Sequence, residues 1–74
     1  RTELYHRFTV RQLMTLPPAT LRTTDSMEHV MRTFDKTGAD YLPVLSVEGH
    51  LVGYISRTRM YTMYRQVIRD YSTE

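Results

Sequence analysis

Apolar residues recur in two different rhythms along this chain. From Tyr41 to Ile55 they come almost without interruption, as YLPVLSV and LVGYI on either side of Glu48-Gly49-His50. Short apolar runs broken by a turn residue read as two strands of a hairpin, with Gly49 free to take a positive φ. Because the runs are nearly continuous rather than alternating, both strands are expected deep in a sheet covered by helices. On either side the rhythm changes to a helical one. Met27, Val30, Met31 and Phe34 stand at i, i+3, i+4 and i+7, and Met60, Tyr64, Val67, Ile68 and Tyr71 form a second stripe. Asp25 and Glu28 have capping-box spacing at the start of the first stripe. Gly38 stands where a left-handed residue would close that helix. Ser56, directly after the second strand, is placed to cap the last helix.

Ahead of these elements, Thr9 is a candidate cap for a short helix over Val10 to Met14, stopped by Pro17-Pro18. Ala19-Thr20-Leu21 then reads as a short edge strand, since proline immediately precedes it. The order is strand, helix, strand, strand, helix, with a short leading helix. That order predicts an α+β, two-layer fold. Residues 1–8 are expected to be a linker or an arm against a neighbour, 9–71 the domain, and 72–74 a frayed tail.

Composition sharpens the picture. The chain has 74 residues, enough for one domain. A lone core of this size supplies about 3–5 kcal/mol, and with no cysteine the chain has no disulfide to add to it. A partner surface is the remaining source of stability, and Met27, Met31, Met60 and Tyr64 are the residues expected to reach one, methionine being an adaptable filler. The net charge of +2, with no dense basic face, argues against a nucleic-acid partner. No apolar run is long enough to cross a bilayer, and an opening on Arg1 reads as a piece of something longer.

Candidate chemistry is sparse. His6, His29 and His50 have no metal-ligand spacing, Asp25 and Glu28 are accounted for by capping, and there is no glycine-rich phosphate loop. Neither enzyme activity nor a metal site is expected. The strand feeding a helix N-terminus at Ser56 offers backbone N–H groups suited to an anion.

Three segments together go further: VRQLMTLPPATL (Val10 to Leu21), TGADYLPVL (Thr37 to Leu45) and LVGYISRTRM (Leu51 to Met60). In that order and spacing, over about Phe8 to Tyr64, the chain resembles a CBS domain, the regulatory module named after cystathionine beta-synthase. The resemblance implies a β-α-β-β-α unit, its small sheet covered by two helices. It also implies pairing with a second CBS motif, in the same chain or a homodimer, as a Bateman module. The family's ligands are adenine nucleotides held between paired motifs, so ATP, ADP or AMP is implied as a regulatory ligand, with no cofactor required.

Residue by residue, the resemblance sets Thr20 near base and sugar and places Tyr41, with Leu42-Pro43 after it, beside the adenine. Tyr41 either stacks on the base or plugs the end of the sheet, and Ser56 either contacts phosphate or sugar or simply caps its helix. Arg59 departs from the family, whose nucleotide-binding members carry an Asp there to accept from the ribose hydroxyls. Arginine has no acceptor. Arg57 and Arg59 either turn to phosphates, which a guanidinium grips bidentately, or the half-site is degenerate. The closing segment RMYTMYRQVIRDYSTE resembles the end of the second CBS motif in the tail of prokaryotic CLC chloride channels and transporters. That implies a parent transport domain, with this part on the cytoplasmic side of an inner-membrane protein. A pairing domain without ligand and a regulatory appendage of a soluble nucleotide-metabolising enzyme are the alternatives.

Overall fold

The structure, a computed structural model, describes residues 2–72. A short 3-10 helix (Thr2–His6) leads to α1 (Val10–Leu13), β1 (Leu21–Arg22), α2 (Met27–Thr37), β2 (Tyr41–Leu45), β3 (Leu51–Ser56) and α3 (Arg57–Ser72). The sheet order is β1-β2-β3. β1 runs parallel to β2, with α2 as the crossover between them, while β2 and β3 form an antiparallel hairpin. This is the expected α+β arrangement.

Among the described residues four make the core, and each comes from a different element. Leu21, Phe34, Leu42 and Met60 are all at most 2% exposed. Val30, Met31, Val44, Ile55 and Tyr61 pack around them. Both helices therefore bury their stripes against the same sheet face, the one carrying Leu21, Leu42 and Ile55.

Local chemistry explains the element ends. Thr9 caps α1 in a capping box with Gln12, the Thr9 N–H donating to Gln12 Oε1 at 2.8 Å. Gly38 closes α2 at φ 70° and Gly49 turns the hairpin at φ 90°, the left-handed region glycine tolerates. Ser46 stitches the same loop, its N–H donating to His50 O and its Oγ accepting from His50 N.

Several expectations need correction. The cap of α2 is Ser26, whose Oγ accepts from His29 N at 3.2 Å, not Asp25. Asp25 instead closes the turn after β1 by accepting from Arg22 N at 2.8 Å. Glu28 pairs with Arg32 one turn on. The first strand is Leu21–Arg22 rather than Ala19 to Leu21, because Thr20 lies just outside the parallel ladder. α3 runs to Ser72, the first residue of the expected tail. Thr73 and Glu74, the rest of that expected tail, lie outside the described residues, as does Arg1.

The largest departure concerns coverage. The hairpin is buried on one face only, since Tyr41, Leu51, Val52 and Tyr54 are all more than half exposed. The near-continuous apolar runs mark a sheet whose second face is apolar yet uncovered by this chain. Met60, expected at a partner surface, is instead a core residue, because its position on α3 points at the sheet. Met31 also packs on the core, while Met27 and Tyr64 keep part of their surface open.

The shape agrees. A compact chain of this length has a radius of gyration of about 11 Å, whereas this one measures 17.1 Å with a long axis of 63 Å. It exposes 6434 Å², about 1,600 Å² more than a compact monomer of the same mass. Every residue from Thr2 to Pro18 is exposed, Leu4, Phe8, Val10, Leu13 and Leu16 among them.

Candidate functional site

The hairpin ladder brings the sequence-derived site residues together. Tyr41 on β2 pairs with Ser56 on β3, and Pro43 pairs with Tyr54. Side chains alternate along a strand, so these four share the face opposite Leu42 and Ile55. Leu21 pairs with Val44, so Thr20, one residue before the ladder, stands at the edge of the sheet, where it also borders α2. Thr20, Tyr41, Pro43, Tyr54 and Ser56 thus lie on or beside one open sheet surface at the point where β3 passes into α3.

The strand-to-helix joint is held tightly. Arg57 N donates to Asp40 O at 2.8 Å, and Ser56 Oγ accepts from Arg59 N at 3.0 Å. Ser56 therefore caps α3 through a lone pair, and its own O–H remains able to donate to a ligand oxygen.

Arg57 has a structural task that the sequence did not reveal. Its Nε donates to Ala39 O at 3.0 Å and its Nη2 to Phe34 O at 2.8 Å, while the guanidinium lies 5.6 Å from the Phe34 ring centroid. A charged fork on two carbonyls at the C-terminus of α2, of which Phe34 O also accepts from Gly38 N, is favourable on both hydrogen-bond and dipole grounds. Those donors are committed to α2 rather than to a phosphate. The signal was faint: an arginine directly after a strand, with its partners 18 and 23 residues earlier.

Arg59 lies elsewhere. It borders a groove of ≈ 370 Å³ between α2 and α3, with Asp25, Met27, Val30, Ile55, Met60 and Met63. Thr20 opens instead onto a larger groove of ≈ 710 Å³ along α2, lined by Pro18, Ala19, His29, Arg32, Thr33, Lys36 and Thr37. The two residues do not share a groove. Between the helices, Tyr61 donates its hydroxyl to Asp35 Oδ1 at 2.5 Å, and that bond raises the phenol pKa above its usual 10.0. Among the described residues no group of three or more His, Asp or Glu is placed to hold a metal ion, and no helix is long and apolar enough to cross a membrane.

Comparison with known proteins accounts for this arrangement. The family model of the CBS domain matches residues 10–64. The chain belongs to the CBS-domain family, whose members serve as regulatory modules. Among solved structures it is similar to CBSX2, determined in complex with AMP, with a TM-score of 0.72 and 25% sequence identity. The alignment covers 89% of this chain and 50% of that one, so the chain spans about half the length of its structural neighbour. No curated protein matches the sequence.

Proposed function

We propose that this chain is one half of a paired regulatory module that senses an adenine nucleotide. The observation that carries the reading is the apolar outer face of the sheet, with Tyr41 and Tyr54 each 67% exposed beside Thr20 and Ser56. A second CBS motif covering that face, from another copy or elsewhere in the same protein, would enclose those residues. The excess exposed area of about 1,600 Å² is shared between this face and the exposed segment from Thr2 to Pro18, so a partner has both to cover. A neighbour of twice the length that holds AMP supports the same reading.

In the enclosed cleft, Tyr41 stacks on the base, a contact worth ~1–3 kcal/mol by analogy with nucleic-acid stacking. Pro43 borders the base, Thr20 contacts the sugar, and the Ser56 hydroxyl donates to a sugar or phosphate oxygen. Arg59 cannot accept from ribose hydroxyls, so the ribose is held less firmly than in family members with Asp there. Regulation follows if the nucleotide binds one state of the parent better than another.

The parent we propose is a chloride channel or transporter of the CLC family, with this module on its cytoplasmic side. Its support is the resemblance of the segment from Arg59 to Glu74. Recovery of the full protein in the soluble fraction of a cell lysate would overturn that assignment.

A second reading, a pairing domain without ligand, is favoured by the arginine at position 59 and by the commitment of Arg57 to α2. Thermal unfolding separates the two. ATP, ADP or AMP at about 100 times its dissociation constant stabilises a binding-competent chain by about 2.7 kcal/mol and raises its melting temperature. An unchanged transition with all three leaves pairing alone.

A further inference from the structure

We propose that the phosphate of the bound nucleotide is read by α2, through Arg32 and Lys36 with His29 beside them, and not by the arginines that follow β3. The inference deepens the proposed function and rests on it. Three observations carry it. First, the groove beside Thr20 is the larger of the two, and it runs along the α2 face bearing His29, Arg32 and Lys36. These stand at i, i+3 and i+7, so all three line one flank. Second, two of the five N–H donors of Arg57 go to Ala39 O and Phe34 O and hold its guanidinium against the end of α2, and Arg59 opens onto the other groove. Third, the opposite wall of the groove is Pro18, Ala19 and Thr20, the segment that leads to the edge of the sheet. A nucleoside monophosphate with its sugar at Thr20 therefore has its cationic wall on α2.

The existing partners of these groups do not close the site. Arg32 donates to Glu28 at 2.8 Å, with the two side chains 67% and 78% exposed. Such an exposed pair is weak and exchanges readily for a dianionic phosphate, which a guanidinium grips more strongly. His29 lies 3.7 Å from Asp25. Lys36, in the last turn of α2, supplies a further positive charge in the groove.

The test is calorimetric titration of AMP and of adenosine into the wild-type chain and two charge-matched variants. One carries Arg32→Ala with Lys36→Ala. The other carries Arg65→Ala with Arg69→Ala, on the exposed side of α3. The first should weaken AMP binding about tenfold or more and leave adenosine within about twofold, as expected for losing charge-assisted contacts. The second should leave both ligands within about twofold. An Arg32→Lys variant should recover part of the loss, and urea midpoints close to wild type would show that the fold is kept. AMP binding unchanged in the first pair, or lost equally in the second, overturns the assignment to α2 while the nucleotide reading stands. Wild-type affinity equal for AMP and adenosine has that same consequence. Absence of wild-type binding to AMP overturns both.

Discussion

Arg57→Met removes the guanidinium that ties the start of α3 to the end of α2 while keeping an apolar stem. The loss is calculable in outline. Hydrogen bonds from charged donors contribute about 1.5–3 kcal/mol each before compensation. Phe34 O would keep its bond from Gly38 N at 2.9 Å, so most of the penalty falls on Ala39 O, which has no other partner in the protein fold described. The contact with the Phe34 ring adds about 0.5–1 kcal/mol. Together these give a destabilisation of about 2 kcal/mol, a large share of the ~3–5 kcal/mol available to a chain this small. With a urea m-value near 1 kcal/mol/M, the midpoint should fall by about 2 M at fixed protein concentration and without nucleotide. Arg57→Lys should recover less than half, because a single ammonium cannot reproduce the fork. A midpoint within about 0.5 M of wild type for Arg57→Met would refute the clamp, since by that m-value it corresponds to about 0.5 kcal/mol.

Other expectations follow from the same geometry. Phe34→Ala leaves a cavity at the centre of a four-residue core and should cost about 3–5 kcal/mol, enough to unfold the isolated chain by circular dichroism at 37 °C. Gly38→Ala meets no atom within 4 Å, so its cost of about 1 kcal/mol is purely that of a left-handed backbone, and a urea titration should show it with no change in m. Tyr61 ionises above its ordinary value because its neutral form donates to Asp35. Its folded pKa is raised, so the contribution is present below pH 10 and lost as pH rises through the folded value. Tyr61→Phe should remove that alkaline loss together with a phenolate absorbance component titrating above pH 10, and persistence of that component would contradict the assignment.

The residues differ in how openly they announced themselves. The stripe Met27, Val30, Met31, Phe34 and the glycines at 38 and 49 were legible because each reflects local backbone geometry. The cap of α2 was misplaced by one residue because Asp25 and Ser26 can both cap, and only the turn after β1 decides which carboxylate or hydroxyl is already engaged. Coverage of the hairpin was misjudged for a different reason. An apolar strand face looks the same in sequence whether a helix of its own chain or a partner buries it. Met60 was assigned outward because a stripe shows which residues share a side of a helix, not how far along the helix the sheet contact extends. The role of Arg57 depends on backbone carbonyls far away in sequence. The spacing of His29, Arg32 and Lys36 puts them on one flank of α2, but only the fold shows that Thr20 lies across a groove from them.

The account rests centrally on a partner over the outer face of the sheet, and sedimentation mass tests it most directly. The wild-type chain at about 100 μM, where an interface of standard size is expected to be occupied, should have the mass of two chains. Tyr54→Lys, which puts a charge in the middle of that face, should have the mass of one while keeping its helical circular dichroism. A wild-type chain that stays at single mass, or a Tyr54→Lys variant that still pairs, would contradict it.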